Sequence, residues 1–162
     1  MTSVSPPQSV AARWSGLAVF AAAVVAVAVV GSLAVGDSAA EYRSLERPFW
    51  APPSWLFGPV WSVLYATIAV AGWLVWRRAG VGPALLPYGI QLLLNALWTP
   101  LFFGAGAYGW ALVDIVALWV AIGATVAAFW RAFRPAALLL VPYWVWVSYA
   151  TALNAAIWWL NR

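Results

Sequence analysis

The chain alternates between long apolar stretches and short breaks that are polar or rich in glycine and proline. A helix needs about 20 apolar residues to cross a bilayer. Five stretches meet that length, namely Trp14–Val35, Trp55–Trp76, Ala84–Phe103, Tyr108–Trp130 and Pro135–Leu160. The later breaks are an Arg-Arg-Ala-Gly segment, a Gly-Ala-Gly-Ala turn and an Arg-Ala-Phe-Arg-Pro turn. The pattern predicts an all-α membrane protein, built as a five-transmembrane-helix bundle.

The first apolar stretch has two interpretations. It holds 22 residues and would be about 33 Å long as a helix, which is enough to span. A cleaved signal peptide is the alternative, because Arg13 precedes the stretch and Ser38-Ala39-Ala40 resembles a cleavage site. Signal peptides have apolar cores of only about 7 to 15 residues, so a span is favoured. We expect residues 1–12, rich in Ser, Pro and Gln, to be a disordered tail and residues 13–162 to form one transmembrane domain.

Composition excludes several classes of protein. The chain is 66% hydrophobic and 7% charged, against roughly 25% charged in soluble domains. All eight basic residues are arginines, and they never form a stripe that could neutralise successive phosphates, so no nucleic-acid partner is predicted. Cysteine and histidine are both absent from the sequence, which removes thiolate chemistry and the usual ligands of zinc and haem. We therefore predict no cofactor, no metal and no catalytic residue.

The segment between the first two spans is the longest polar one. Residues 36–54 hold three of the four acidic residues, two arginines and three prolines, which is typical of a structured loop. Five arginines lie at the tail and the even-numbered connections, and three lie on the other side. By the positive-inside rule this small excess places the N-terminus in the cytoplasm and the acidic loop outside.

Small residues recur at four-residue spacing on two of the spans. Close helix association in lipid uses such residues at interfaces, so the repeats indicate packing within the bundle or homodimerisation. They are Ala18, Ala22 and Ala26, then Ala28, Ser32 and Gly36, and then Ala117, Ala121 and Thr125.

Asp114 is the one acidic residue beyond the first loop, and it lies within the fourth span. An unpaired charge there costs about 2.5 to 3.5 kcal/mol on the insertion scale. Its side chain should therefore face protein or water. It is either a ligand or proton site, or a structural carboxyl that is hydrogen-bonded near a helix end.

Three spans each present a face with aromatic and amide side chains. These faces hold Trp61 and Tyr65 in the second span, Gln91, Asn95 and Trp98 in the third, and Trp146, Ala150 and Asn154 in the fifth. Such faces suit a planar, mostly apolar ligand between helices. Tryptophan also accumulates at membrane interfaces as an anchor. We expect that role for the residues at span ends, which are Trp14, Trp76, Trp130, Trp158 and Trp159.

Six motifs follow one another along the chain, at Tyr42–Pro53, Trp55–Tyr65, Leu94–Phe103, Val113-Asp114, Pro142–Trp146 and Ala150–Asn154. In this order they resemble the TspO/MBR family of tryptophan-rich sensory proteins and translocator proteins. The resemblance implies a five-helix bundle, often dimeric, with a pocket beneath the first loop. It also implies binding of porphyrins, other tetrapyrroles, isoquinoline carboxamides and benzodiazepines. Carried over by motif, the ligand-binding residues would be Tyr42, Pro52, Trp61, Tyr65, Asn95, Trp98, Asp114, Trp146 and Ala150.

The resemblance leaves three functions open. The first is a sensor or transporter of porphyrin-like ligands. The second is light- and oxygen-dependent porphyrin degradation, with Trp61 and Trp146 as redox side chains. The third is a membrane partner or regulatory protein without turnover of a small molecule.

Two further features limit what the resemblance implies. The animal sterol-recognition pattern has a tyrosine after the Leu-Asn pair of the fifth span, whereas this chain has Ala155. We therefore do not predict sterol binding. The N-terminus lacks the Arg-rich and Ser-rich character of a mitochondrial transit peptide, which favours a prokaryotic cell membrane.

Overall fold

The computed structural model of the protein describes residues 10–35 and 38–162. Residues 1–9 of the predicted tail lie outside the described part. The described chain forms six α-helices: α1 (Val10–Val35), α2 (Ser38–Ser44), α3 (Phe57–Ala79), α4 (Leu85–Thr99), α5 (Tyr108–Ala132) and α6 (Arg134–Leu160). A 3-10 turn (Ser54–Leu56) precedes α3, and a π turn (Pro100–Gly104) follows α4.

The five predicted spans are confirmed. Within residues 10–35 and 38–162, five segments are long and apolar enough to cross a membrane: Trp14–Ala34, Ser54–Ala79, Leu85–Gly104, Tyr108–Ala132 and Arg134–Leu160. Helix α1 packs against α3 and α4, α3 packs against α6, and α5 lies between α4 and α6. The first apolar stretch is thus an integral wall of the bundle, as expected of a membrane span. Helix α2 and the 3-10 turn lie in the loop between the first two spans.

The π turn after α4 follows from Pro100. Proline has no backbone N–H, and its ring clashes with the carbonyl four residues earlier in a regular helix. The chain responds by widening, and the N–H of Ala105 donates to the carbonyl of Pro100 at 2.9 Å. The third span therefore reaches Gly104 as one element, and the wide turn places Phe103 on the inner side, where it packs against the buried core.

The connection between α5 and α6 is shorter than the sequence pattern indicates. Both arginines of the Arg-Ala-Phe-Arg-Pro segment are helical, and Phe133 alone breaks the helix with an extended backbone. Pro135 lies in the first turn of α6, where a missing N–H costs nothing. The two helices thus form a tight antiparallel hairpin.

The small-residue repeats differ in whether their side chains are exposed or buried. Ala18, Ala22 and Ala26 all face outward from α1, whereas Ala121 and Thr125 are buried inside the bundle. The Thr125 hydroxyl is satisfied locally, since it donates to the carbonyl of Ala121 at 2.7 Å. Gly36 lies outside the described residues.

Four of the five tryptophans expected at the membrane interfaces are exposed, namely Trp14, Trp130, Trp158 and Trp159. Trp76 differs, because its ring occupies the space beside Gly16 of α1. It therefore packs α3 against α1 in addition to lying at a span end.

A candidate ligand-binding cavity beneath the first loop

A cavity of about 370 Å³ lies between α1, α3 and the end of α4, beneath the loop that contains α2. Its size is at the lower end of the range for small-molecule sites, which is about 300 to 1,000 Å³. The lining residues are Ala28, Gly31 and Ser32 from α1, Tyr42 from α2, Ser54, Phe57, Gly58, Trp61 and Tyr65 from the 3-10 turn and α3, and Trp98, Thr99 and Phe103 from α4 and its π turn.

Tyr42 forms part of the roof of this cavity. The side chain is buried, and its hydroxyl donates to the carbonyl of Pro52 at 3.1 Å. The Arg47 guanidinium lies 4.9 Å from the centre of the ring. Burial raises the pKa of the Tyr42 phenol above its ordinary value, although Arg47 opposes that rise. The phenol is therefore a neutral donor at physiological pH and joins the two ends of the loop.

The loop is also attached to the body of the bundle. The Glu46 N–H donates to Asn161 Oδ1 at 3.0 Å, and Asn161 Nδ2 donates back to the Glu46 carbonyl at 2.9 Å. The Tyr149 hydroxyl donates to the Trp50 carbonyl at 3.0 Å. These contacts connect the loop to α6, so that the roof is held in place from outside the cavity as well as from within.

A second contact reaches the loop from α5. The Tyr108 hydroxyl, in the first turn of that helix, donates to Glu41 Oε1 at 3.2 Å. The amide of Asn154 donates to the backbone carbonyl of Tyr108 at 2.9 Å and so holds the start of α5 against α6.

The walls of the cavity are aromatic. The rings of Trp61 and Tyr65 lie 5.2 Å apart on consecutive turns of α3. Trp98 faces them from α4, and its Nε1 donates to Asn154 Oδ1 at 3.1 Å. The Trp98 ring also stacks on Phe102 with centroids 5.1 Å apart. Because Trp98 is held by a hydrogen bond and by stacking, it presents a fixed flat surface.

A chain of buried polar groups runs from the cavity into the bundle. The Tyr65 hydroxyl donates to Asn95 Oδ1 at 3.0 Å, and Asn95 Nδ2 donates to the Tyr143 hydroxyl at 3.1 Å. Tyr143 in turn donates to Gln91 Oε1 at 2.9 Å. Asn95 is thus one layer behind the cavity wall. It fixes the cavity-facing hydroxyl of Tyr65 and joins α3, α4 and α6.

The two site residues expected from α6 lie outside this lining. Ala150 borders a second, much smaller void of about 10 Å³, together with Leu153 and Asn154. Trp146 lies behind Phe57, with ring centroids 6.1 Å apart. Its Nε1 is buried and has no hydrogen-bond partner among the described residues.

Pro52 and Asp114 are also absent from the lining. Pro52 is buried and acts through its carbonyl, which accepts the hydrogen bond from Tyr42. Asp114 is 6% exposed, and within the described chain neither of its carboxyl oxygens has a hydrogen-bond partner. The side chain faces protein, as expected of a carboxyl group in a span.

Of the nine predicted site residues, the structure brings Tyr42, Trp61, Tyr65 and Trp98 together around the cavity. The contribution of α1 is not predicted by the sequence. Ala28 and Ser32 belong to a small-residue repeat that indicates packing, yet both line the cavity, where their small side chains leave room. Phe57 and Phe103 are also missed, although both lie inside the motifs that carry the resemblance.

The lining defines what the cavity can hold. Aromatic rings dominate the walls, and hydroxyls from Ser32, Ser54, Thr99 and Tyr65 supply a few polar contacts. Flat rings pack on aromatic faces, and isolated polar groups fix orientation. The arrangement suits a planar, largely apolar molecule.

Comparison with known proteins agrees with these features. The sequence model of the TspO/MBR family matches residues 19–160. A human protein named "Translocator protein" is 42% identical over 135 residues, which are 80% of each chain. "Tryptophan-rich protein TspO" of Chlorobaculum tepidum is 44% identical over 124 residues, covering 74% of this chain and 78% of that one. "Tryptophan-rich sensory protein" of Cereibacter sphaeroides is 38% identical over 141 residues, covering 87% and 88%.

Proposed function

Because this chain belongs to the TspO/MBR family of multi-pass membrane proteins, we propose that it binds porphyrins or related tetrapyrroles and acts as their sensor or transporter. The observation that supports this most is the aromatic cavity, where Trp61 and Trp98 come together from different helices beneath a closed loop. Tetrapyrroles are flat and largely apolar, and stacking on indole rings stabilises such molecules.

The loop supports a sensing or transport role, because it covers the cavity and would have to move for a ligand to enter from that side. The roof is held by a few hydrogen bonds, including one from Tyr42 to Pro52 and two between Asn161 and Glu46. Each contributes about 0.5 to 1.5 kcal/mol. A ligand with a modest preference for one position of the loop could therefore shift the balance between closed and open forms.

The experiment is a protoporphyrin titration of the detergent-purified protein, followed by quenching of tryptophan fluorescence. We compare Trp61→Leu, which removes a cavity wall, with Trp110→Leu, which removes an indole that is 71% exposed on the outer surface of α5. Loss of one ring contact should weaken binding about threefold to tenfold in Trp61→Leu. Trp110→Leu should bind as the wild type does.

Absence of saturable protoporphyrin binding by a helical, monodisperse sample would reject the proposal. Equal effects of the two substitutions would indicate association with the outer surface and reject this cavity as the site. Illumination of the bound complex in air tests the enzymatic alternative, because a degrading enzyme would yield products catalytically in the light. Known relatives are named translocator and sensory proteins, which is compatible with a binding protein.

We further propose a homodimer in a prokaryotic cell membrane. The outward face of α1 supports association, because Ala18, Ala22 and Ala26 form a smooth strip on which a second helix could pack closely. Bacterial relatives at 38% and 44% identity are compatible with that location.

A further inference from the structure

We propose that residues 48–53, in the loop between the first two spans, form a lipid-binding segment that inserts the Phe49 ring into the membrane interface. The surface it binds is the boundary between the lipid headgroups and the acyl chains. This contact does not depend on which ligand the cavity binds.

The composition of the segment suits that boundary. Its sequence, Pro-Phe-Trp-Ala-Pro-Pro, has no charged side chain, and Arg47 is the last charged residue before Arg77. Phe49 is fully exposed, and Trp55, in the 3-10 turn that follows, is 70% exposed. Aromatic rings are stable at the level of the headgroups, and an arginine can keep its charge among them. The pattern therefore favours contact with lipid over contact with water.

The contacts of the loop place the segment beside the membrane-spanning part of α6. Glu46, just before the segment, is bonded to Asn161, directly after the end of α6. The Trp50 carbonyl is bonded to the Tyr149 hydroxyl, and the two rings lie 5.7 Å apart. Tyr149 lies 11 residues, or about 16 Å, before the last residue of this helix. Because Trp50 is still exposed, the segment runs back along the outer side of the fifth span instead of projecting beyond it.

The backbone of the segment is also suited to a position with little water, where unpaired N–H and C=O groups are costly. Three of its six residues are prolines and have no N–H to satisfy. The Ala51 N–H donates to the Pro48 carbonyl at 2.9 Å. The carbonyls of Trp50 and Pro52 accept from tyrosine hydroxyls, and that of Pro53 accepts from the last residue of the 3-10 turn at 3.0 Å. Most of the backbone polar groups are thus removed or paired.

Insertion of Phe49 would restrain the roof of the cavity from outside the bundle. Pro52 belongs to the same segment, and its carbonyl accepts the hydrogen bond from Tyr42, which forms part of the roof. The lipid contact would therefore act on the same loop as the protein contacts from α6.

The test uses a nitroxide spin label on Phe49→Cys, which is a unique site because the chain has no other cysteine. The full-length protein is placed in phosphatidylcholine nanodiscs, and electron paramagnetic resonance measures collisions of the label with oxygen, which concentrates in lipid, and with a water-soluble nickel chelate. Val120→Cys, exposed on the middle of α5, is the lipid control. Arg43→Cys, exposed on α2, is the water control.

The oxygen-to-nickel collision ratio at Phe49→Cys should exceed that at Arg43→Cys severalfold and approach the value at Val120→Cys. A ratio equal to that at Arg43→Cys would place the segment in water and overturn the proposal. Few collisions with either reagent would show that protein, such as a second copy of the chain, covers Phe49, and would overturn it as well.

A second measurement needs no label. In the same nanodiscs, Phe49→Asp should raise hydrogen exchange in peptides that cover residues 44–50 severalfold, after correction for intrinsic rates, because a charge is costly in the interface. Phe49→Leu keeps an apolar side chain and is the matched control, with exchange near the wild-type value. Equal exchange in the two variants would overturn the proposal.

Discussion

At the scale of single residues, the roof of the cavity depends on a few side chains that join distant parts of the chain. Asn161 is the clearest case, because one amide group satisfies both the N–H and the carbonyl of Glu46, 115 residues away in sequence. A side-chain amide has both a donor and an acceptor, so Asn161 can satisfy the backbone N–H and the backbone carbonyl of one residue at the same time.

Removal of that amide should loosen the loop. In Asn161→Ala the Glu46 N–H loses its acceptor, and its hydrogen exchange should become faster by about threefold to tenfold, as expected for loss of one hydrogen bond of about 1 kcal/mol. Exchange measured by mass spectrometry on peptides that cover residues 44–50 tests this. Asn161→Asp keeps the acceptor, so the Glu46 N–H should remain protected. Unchanged exchange in the alanine variant would show that Asn161 does not restrain the loop.

The protonation of Tyr42 determines how hydrogen exchange in the loop should depend on pH. Because burial raises the pKa of its phenol above the ordinary value of about 10, the neutral form is favoured in the folded protein. The stabilisation is fully present below about pH 10 and is lost as pH rises through the raised pKa. Loop exchange, corrected for its intrinsic pH dependence, should therefore be constant between about pH 6 and 9. Tyr42→Phe should expose the loop throughout that range, and a wild-type transition near neutral pH would contradict the prediction.

At the scale of elements, glycines decide how closely the helices approach. A Cβ at Gly72 of α3 would lie 2.6 Å from Cζ of Tyr88 on α4 and 2.7 Å from Cδ1 of Phe20 on α1. Both rings are already engaged, since the Tyr88 hydroxyl donates to the Ile68 carbonyl at 3.1 Å and the Phe20 ring packs edge-on against Tyr88 with centroids 5.7 Å apart. Neither ring can yield easily, so α1, α3 and α4 meet at a point where only glycine fits.

Gly72→Ala should destabilise the bundle by about 1 to 3 kcal/mol, the usual cost of overpacking a core. Gly89→Ala is the control, because nothing lies within 4 Å of its Cβ position in α4 and alanine favours a helix. Thermal unfolding followed by circular dichroism in one detergent compares the two. An unchanged midpoint in Gly72→Ala would show that Tyr88 and Phe20 move aside.

At the scale of the whole molecule, the spans differ in how deeply they are buried, with α6 the most buried span and α1 the most exposed. The α1 segment is 17% buried in its most apolar window, against 39% for the α6 segment. Helix α1 thus presents the larger free surface to lipid or to a second copy.

The homodimer prediction concerns that surface. Ala22→Leu places a bulky group in the alanine strip and should lower the dimer fraction severalfold. Ala117→Leu makes the same change on the outward face of α5 and should leave the dimer intact. Light scattering coupled to size-exclusion chromatography, at matched protein and detergent concentrations, measures the fraction. Equal effects of both variants, or a wild-type monomer, would reject association through α1.

The sequence by itself was sufficient to predict the five spans and their order, because a run of about 20 apolar residues is stable in few structures other than a membrane-spanning helix. It also predicted which faces of α3 and α4 turn inward, since helical periodicity groups Gln91, Asn95 and Trp98 on one side, and all three are buried. Local patterns such as these depend on residues a few positions apart.

Only the tertiary structure decided which of these faces meet around the cavity. The approach of α1 brings Ala28 and Ser32 into the lining, whereas Trp146 packs edge-on against Phe57 and stays outside the lining. The reciprocal bonds between Asn161 and Glu46 likewise appear only once α6 lies beside the loop. Such contacts depend on crossing positions and rotamers of residues far apart in the chain, and helical periodicity carries no information about either.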